Sequence, residues 1–444
     1  MRAALDWTFS PAGDESIGVA LTTSAVPLWM QLSLFDECRT RVERALAALP
    51  SEADRDTRQE MKLQAALGGS LVCTRSPTEP ETGAAWTKAL EIAEGLDDAD
   101  YRLRSLWGLW YFHISNSRPR VALAMAETFC ALATNRPDPN DGLIGDRMIG
   151  VTQHTLADLP SGRCHLERVV AGYVASDSRH IICLQPDPLT TARVFLARIL
   201  WLQGFPEAAM REAENSIADA RAASDVVSLC HALALAAGPI ALWTGDLASA
   251  ENHIGMLLDH STRHSLAYWH ALGSSHQGVI VIRRGDVARG LRLLRGGFDE
   301  LGEANTAFRL LTFLSEKAEA LGRGGQIADG LLTIDEAIAR SERTEERWPI
   351  AEFLRIKGEL ILLQAGPGAA PAAKNLFRQA LDWASRQGTL SWELRAAMSL
   401  ARLLRDRGSL VDAKALLQPV YHRFTEGFDT ADLRTAKAFL DALP

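Results

Sequence analysis

The chain has 444 residues, of which 47% are hydrophobic and 23% are charged, and its formal net charge is -8. This length exceeds the usual size of a single hydrophobic core, so we expect several domains or one extended repeat structure. The ordinary hydrophobic and charged fractions exclude a disordered chain. The acidic balance excludes non-specific nucleic-acid binding, which needs a clustered basic surface.

The N-terminal region is predicted to be helical and to lie outside any membrane. The opening residues MRAALDWTFS form an amphipathic segment and lack the basic and apolar regions of a secretory leader. The stretch from Ser16 to Leu34 is long enough to cross a bilayer. Because Thr22, Pro27 and Gln31 interrupt it, a buried helix is the better interpretation.

The cysteines predict a reducing compartment. They are scattered and form no C-x-x-C pair, a pattern typical of small buried side chains rather than of disulfides or a zinc site. The six are Cys38, Cys73, Cys130, Cys164, Cys183 and Cys230. This usage favours a cytoplasmic location.

A repeat of about 40 residues organises the chain. Apolar residues recur at helical spacing throughout, and strand signals are nearly absent. Six glycines in the C-terminal half are separated by 41, 40, 40, 43 and 40 residues: Gly204, Gly245, Gly285, Gly325, Gly368 and Gly408. The same frame extends weakly towards the N-terminus, with turns at Ser33, Pro77, Ser117 and Leu159. We therefore predict about ten helix-turn-helix units.

Small residues mark where the paired helices approach each other. Five positions after each turn stand Cys38, Thr82, Ala122, Cys164, Ala209, Ala250, Gly290, Gly330, Ala373 and Ala413. Seven positions before six of the turns stand Ser70, Ala197, Gly238, Gly278, Ala318 and Ala401. Antiparallel helices on a short turn can pack closely only where neither presents bulk, so these two positions should face each other.

This spacing of small residues resembles the tetratricopeptide repeat, with a HEAT-like helical repeat as the second possibility because the unit is longer than usual. The resemblance implies an all-α, right-handed superhelical solenoid. We expect residues 1–12 to be the remnant of a linker helix from a preceding domain. Residues 13–185 should hold four degenerate repeats, and residues 186–444 six clearer ones.

Longer stretches such as TTARVFLARILWLQGFPEAA and ERWPIAEFLRIKGELILLQ resemble the C-terminal helical region of bacterial signalling ATPases of the maltose-regulator type. The resemblance implies the sensor arm of a larger switch, with its winged-helix or cyclase effector absent here. Its motifs are helical-repeat positions and specify no chemistry.

Motifs for catalysis are missing from the sequence. It contains no phosphate-binding G-x-x-x-x-G-K-[ST], no G-x-S-x-G and no H-E-x-x-H. His260 and His264 should straddle a turn between helices that end near Asp259 and begin near Ser265, and a metal site would require them to fold together with a carboxylate such as Asp259. On the next helix, His270 and His276 are about 120° apart in projection and cannot share an ion unaided.

Acidic pairs such as Asp97 with Asp98 and Glu345 with Glu346 should be solvated caps in the turns between helices. We predict no enzyme activity, no metal and no cofactor.

The inner groove of such a superhelix is lined by positions two, three, six, ten and thirteen before each turn. These slots hold Arg104, Trp107, Tyr111, Arg198, Trp201, Trp243, Arg283, Arg323, Arg355, Arg395, Arg402 and Arg405. Acidic residues in the same slots are only Asp146, Glu319 and Asp406. Arginine and tryptophan dominate binding hot spots, although these arginines and tryptophans equally fit ion pairs and a core.

The sequence therefore predicts a non-catalytic scaffold that binds a protein or peptide, which the arginines suggest is acidic. The alternative is a sensor of an anionic small molecule with one enclosed pocket in the groove. We expect no direct contact with nucleic acid or membrane.

Overall fold

The computed structural model describes residues 1–32, 34–51, 56–134, 136–174, 187–305 and 310–444. Throughout these ranges the regular structure is helical, and no strand occurs in them. The chain forms two compact units. Unit 1 is built on Met1–Met148, and unit 2 on Ile149–Tyr173 together with residues 187–444.

Unit 1 begins with a short helix and continues as helical hairpins. Its helices are α1 (Arg2–Thr8), α2 (Glu15–Gln31), α3 (Phe35–Ala47), α4 (Thr57–Thr74), α5 (Pro80–Gly95), α6 (Ala99–Ser115), α7 (Pro119–Ala133) and the start of α8 (Pro139–Leu156). The segment considered for membrane insertion is α2, which buries Val19, Thr22 and Trp29 as expected.

Unit 2 continues the same pattern. Its helices after α8 are α9 (Leu159–Gly172), α10 (Pro188–Leu202), α11 (Pro206–Ala222), α12 (Val226–Ala232), α13 (Gly238–Thr244), α14 (Leu247–Arg263), α15 (Ala267–Arg283), α16 (Val287–Asn305), α17 (Leu310–Arg323), α18 (Ile327–Thr344), α19 (Ile350–Leu363), α20 (Ala369–Gln387), α21 (Leu390–Asp406), α22 (Leu410–Tyr421) and α23 (Ala431–Asp441). A π-helical turn, Leu233–Ala237, joins α12 to α13.

The predicted tetratricopeptide-like hairpins are confirmed. All six turn glycines adopt positive φ values, between 79° and 102°, which side chains other than glycine tolerate poorly. The first turn position, Ser33, lies outside the described residues. Helices such as α14 and α15 are 17 residues long, so extended helices account for a unit longer than the usual tetratricopeptide repeat.

Paired helices touch where the small residues were predicted. A Cβ atom added to Gly278 on α15 would lie 2.9 Å from the carbonyl oxygen of Gly290 on α16. One added to Gly290 would lie 2.6 Å from the carbonyl oxygen of Gly278. These two helices can therefore approach this closely only because both residues are glycine.

The fourth hairpin corrects the predicted frame by two residues. The backbone turns at Ala157, with a φ of 67°, and not at Leu159, which is the buried first residue of α9. As a result Gly162 is the small contact residue, and a Cβ there would lie 3.2 Å from the Gly150 carbonyl oxygen. Cys164 is exposed. Because this turn has no glycine, the position of the repeat was only weakly marked in the sequence.

The first helix of each hairpin lies inside unit 2. Of the 15 residues of α10, 12 are buried, whereas the 17-residue α11 buries 6 along one face. The stretch Val226–Thr244 is long and apolar enough to span a membrane, yet 83% of that window is buried inside the protein. The first helix therefore packs on more than one side, whereas the second helix packs along one face.

The α10–α11 hairpin contacts the C-terminal end of unit 2, which we call the closure contact. The Ser391 hydroxyl of α21 donates a hydrogen bond of 2.5 Å to the Trp201 carbonyl at the end of α10. The Ala208 amide donates to Glu426 and the Gly427 amide donates to Glu207, each at 2.8 Å. Each end thus supplies a carboxylate to the backbone of the other.

Candidate functional site

A cavity opens on the inner face of unit 2, and we call it the Trp243 cavity. About 540 Å3 of space there is free of protein atoms, part of it continuous with solvent. The lining residues are His154, Phe195, Arg198, Ala234, Leu235, Pro239, Trp243, Leu272, His276, Thr312, Phe313, Glu346 and Trp348. Most are apolar or aromatic, and the polar ones come from five different segments of the chain.

The π-helical turn supplies two carbonyl groups to this cavity. Pro239 has no N–H, so it cannot donate to the carbonyl groups of the preceding turn. The Leu235 carbonyl accepts from Arg198 Nη1 at 3.2 Å, and the Ala234 carbonyl lies 3.0 Å from His276 Nε2. The proline therefore leaves backbone acceptors that side chains from α10 and α15 use, and π-helical turns are frequent at functional sites.

Arg198 lies between two indole rings. Its guanidinium carbon is 5.1 Å from the centroid of Trp243 and 4.9 Å from that of Trp348. Cations over indole faces are attracted by the ring quadrupole, most strongly when they are desolvated. Arg198 and Trp243, both predicted as groove residues, line this cavity, and their role in binding stays a prediction.

Two histidines line the cavity in the neutral form. Burial lowers the pKa of His276 to about 4. Burial, assisted by the charge of Arg198, lowers the pKa of His154 well below its usual value. Among the described residues, neither Nδ1 atom has a hydrogen-bond partner. Since buried polar atoms are nearly always paired, these two atoms are candidates for ligand contacts.

Glu346 is the acidic member of the cavity. The sequence predicted a solvated cap, and this is wrong: the residue is only 4% exposed, and Trp348 Nε1 donates to its Oε1 at 3.0 Å. Burial raises the pKa of Glu346 to about 7, against the smaller opposing effects of the Trp348 hydrogen bond, Arg198 and Arg340. Of the pair Asp97 and Asp98, the second is a helix cap that accepts from the Tyr101 amide.

Beside the cavity lies a network of ion pairs, and several of its members line a second, smaller cavity. Arg283 pairs with Glu316 at 2.8 Å, and Arg355 pairs with Glu352 at 2.7 Å. Arg395 lies 3.3 Å from Glu352. Further members are Glu319, which is 3.9 Å from Arg355, and Asp432, which is 2.7 Å from Arg395.

The expectation of arginines without local acids is therefore wrong. The acidic partners of these arginines were missed because Glu316, Glu352 and Asp432 do not occupy the five positions before each turn that were predicted to line the groove. Although burial acts to raise it, the surrounding arginines hold the pKa of Glu319 well below its usual range. A charged and closely paired interior leaves no net basic groove in this part of unit 2. Whether an acidic peptide binds elsewhere on the chain stays a prediction.

Tryptophans connect the cavity with the closure contact. The Trp243 ring lies 6.1 Å from Trp348 and 4.8 Å from Trp201. Trp201 in turn lies 4.7 Å from Trp392 on α21. The Trp243 carbonyl accepts from Arg395 Nη2 at 3.1 Å. Trp201 and Trp243 were predicted as groove residues, and the structure places them in a buried aromatic cluster.

The remaining slot residues lie away from the cavity. In unit 2, Arg402 is exposed, Arg323 pairs with Glu319, and Arg405 pairs with its neighbour Asp406. In unit 1, Trp107 is buried and stacked on Tyr111 at 5.6 Å, and Arg104 lies 4.9 Å from the centroid of Tyr101.

The histidine-rich segment does not assemble a metal site among the described residues. No group of three or more histidine, cysteine or acidic side chains there is placed to hold an ion. Helix α14 continues to Arg263, four residues beyond the predicted end, so the rings of His260 and His264 lie together with centroids 4.5 Å apart. His260 Nε2 is 3.2 Å from the Val226 carbonyl.

Comparison with known proteins gives distant likenesses. No family model matches the chain. An uncharacterised protein of Rhizobium meliloti is 24% identical over 399 residues, which make up 86% of this chain and 38% of that protein. The chain thus spans well under half of the length of the curated relative that it matches.

Two solved structures are similar in fold. The apo form of the quorum sensor NprR from B. thuringiensis is 12% identical, with a TM-score of 0.46, over 82% of this chain and 97% of that chain. A signal transduction ATPase with a tetratricopeptide repeat sensor from Pyrococcus horikoshii is 11% identical, with a TM-score of 0.43, over 90% of this chain and 57% of that chain. The likeness is one of fold and does not extend to function.

Proposed function

We propose that unit 2 is a non-catalytic sensor that binds a small organic molecule in the Trp243 cavity. The observation that carries this proposal is the convergence of His154, Arg198, His276 and Glu346 on one cavity with otherwise apolar walls. Small-molecule sites combine such walls with a few fixed polar groups. A peptide groove would instead need a continuous open strip, and the inner arginines are engaged in ion pairs.

Trp243 connects the cavity with the closure contact, whose opening and closing is the response that we propose. Trp243 forms a wall of the cavity, and its ring and carbonyl also contact Trp201 and Arg395 at the closure contact. A ligand shifts a conformational equilibrium only when it binds one state better than the other. A ligand packed against Trp243 meets that condition if the ring is positioned differently when the closure contact opens.

This sensor is proposed to act in the cytoplasm within a signalling protein or assembly. Two observations support the role. The stretches quoted above resemble the sensor region of signalling ATPases, and the match covers only 38% of the Rhizobium meliloti relative. Cys38, Cys73, Cys164 and Cys230 are free thiols, which suits a reducing compartment.

The test uses a variant that fills the cavity. Thr312 lines the cavity and is partly exposed, so Thr312→Trp places an indole at the cavity. Thr435→Trp, on the exposed face of α23, is the matched control. Each purified protein is equilibrated with a small-molecule extract and a metabolite library, and bound species are read by native mass spectrometry.

We expect one small molecule per chain on the wild type and on Thr435→Trp, and none on Thr312→Trp. Equal occupancy of all three proteins would refute the cavity as the binding site. Circular dichroism of Thr312→Trp verifies that the helices are intact.

A further inference from the structure

We propose that the ligand of the Trp243 cavity is a small carboxylic acid with an apolar or aromatic body, whose carboxylate is held by Arg198 and by the Nδ1–H of His154. This inference rests on the proposed function and specifies the class of molecule that the same site takes.

The charge of the cavity lining favours an anion. Arg198 is always protonated, and the two histidines are neutral because burial lowers the pKa of each. Glu346 titrates near neutrality, with a pKa of about 7. The four groups together therefore carry between zero and one positive charge at neutral pH. A bound carboxylate neutralises the charge of Arg198 when Glu346 is protonated, whereas a bound ammonium group adds a second positive charge.

The hydrogen bonds of His154 fix which of its nitrogens carries the proton. Arg198 Nε lies 3.4 Å from His154 Nε2, and an arginine can only donate, so Nε2 is the acceptor. The proton of the neutral ring is then on Nδ1. That N–H is buried and has no partner among the described residues. An unpaired buried donor costs free energy that a carboxylate oxygen would recover.

His276 offers the complementary atom. Its Nε2 lies 3.0 Å from the Ala234 carbonyl oxygen and must donate to it. Its Nδ1 is therefore an acceptor, and it too lacks a partner among the described residues. This acceptor is suited to a hydroxyl or N–H group on the ligand, or to the protonated carboxyl group of Glu346, which lines the same cavity.

The remaining walls define the body of the ligand. Phe195, Leu272, Phe313 and Trp348 contribute aromatic and aliphatic surface. Such surface gains free energy by covering apolar groups, and it offers few partners to a polyhydroxylated molecule such as a sugar. A short aryl or branched alkyl chain next to the carboxylate matches this lining.

Glu346 links binding to protons. Charged and titratable groups around it are Arg198, Arg340, His154 and His276. A carboxylate bound beside Glu346 raises the pKa of that side chain further, so the complex takes up a fraction of a proton. The affinity for the anion should consequently fall as the pH rises above about 7, by at most about tenfold per pH unit.

The experiment compares three probes of one shape and different charge: phenylacetate, phenylacetamide and phenethylamine. Binding to the full chain is measured by isothermal titration calorimetry, supported by tryptophan emission. We expect phenylacetate to bind about ten- to a hundredfold more tightly than the amide, the range for a hydrogen bond to a charged group. Phenethylamine should bind more weakly still.

Two variants and one control locate the interaction. Arg198→Gln should remove the preference for phenylacetate over the amide, and Arg402→Gln, an exposed arginine of the same unit, should retain it. Glu346→Gln keeps an acceptor for Trp348 and should abolish the proton uptake on binding, measured in buffers of different ionisation enthalpy. The second variant keeps the test informative if Arg198→Gln does not fold.

The outcomes separate this inference from the proposed function. Equal or tighter binding of phenylacetamide or phenethylamine would overturn the carboxylate ligand but leave a small-molecule cavity in place. Unchanged discrimination in a folded Arg198→Gln would do the same. If no probe binds and metabolites still bind in a manner that Thr312→Trp blocks, the carboxylate inference fails alone. If neither binds, both fail.

Discussion

Replacing Arg395 tests the buried ion-pair network of unit 2. The side chain is 14% exposed and contacts Asp432 at 2.7 Å and Glu352 at 3.3 Å. Its guanidinium group also lies 5.3 Å from the centroid of Trp201 and 5.0 Å from that of Trp392. Arg395→Met retains a stem that packs on the two indoles and removes the charge.

The loss of stability in Arg395→Met depends on which contacts Glu352 and Asp432 keep. Removing one partner of a buried pair typically costs about 3 to 5 kcal/mol, because the other charge is left uncompensated. Here Glu352 keeps its contact with Arg355 at 2.7 Å, and the Asp432 side chain is 34% exposed. We therefore expect a loss of about 2 to 3 kcal/mol, towards or below the lower end of that range.

The assay is urea denaturation followed by tryptophan fluorescence. Arg405→Met is the matched control: within the described residues Arg405 forms an ion pair only with the neighbouring Asp406, its side chain is 47% exposed, and it lies 5.2 Å from the centroid of Phe439, a contact that the methionine stem can retain. Exposed pairs contribute about 1 kcal/mol or less, so the control should be close to wild type. A free energy of unfolding for Arg395→Met within about 0.5 kcal/mol of wild type would refute the buried network.

Three other outcomes are expected. Gly278→Ala should destabilise the protein by about 1 to 3 kcal/mol, because the added Cβ meets the backbone of α16 at 2.9 Å. The control Gly255→Ala, at an exposed position of α14 with no atom within 4 Å of the added Cβ, should stabilise the protein by about 0.5 to 1 kcal/mol. Equal melting temperatures of the two variants would contradict the close approach of α15 and α16. Burial raises the pKa of Glu346 from 4.5 to about 7, so its contribution to stability is lost as the pH rises through that window. At about pH 8 the free energy of unfolding of Glu346→Gln, measured by urea denaturation, should then exceed that of wild type by up to about 3 kcal/mol. Near pH 4 the two proteins should be equally stable, and a variant less stable than wild type at pH 8 would be evidence against the burial of Glu346. Metal analysis of dialysed protein should find no stoichiometric zinc, and one ion per chain that disappears in His260→Ala would overturn this.

The repeat could be predicted from the sequence because its determinants are local. A glycine at a turn and a small residue five positions later are demanded by the backbone and by close packing, and both are visible in one chain. The fourth hairpin was misplaced by two residues because its turn residue is Ala157, not a glycine. Helix α23 was not distinguished from the hairpins, since no repeat position marks it.

The site could be predicted only in part. Of the residues that line the cavity, Arg198 and Trp243 were named from their positions on the first helices. Glu346 and Trp348 were missed because they lie in the segment before α19, and only the closed packing of unit 2 brings them to Arg198. Pairing of the inner arginines likewise depends on contacts between different hairpins, which no periodicity within one helix reveals.

Closure of unit 2 is the central claim, and hydrogen exchange at Ala208 tests it most directly. This amide is in the first turn of α11, where no helical carbonyl is available, and it donates to Glu426 across the closure contact. We predict that peptides containing Ala208 and Gly427 exchange far more slowly than the exposed turn at residues 364–368. Exchange of both peptides as fast as that turn would show that the two ends of the unit are apart.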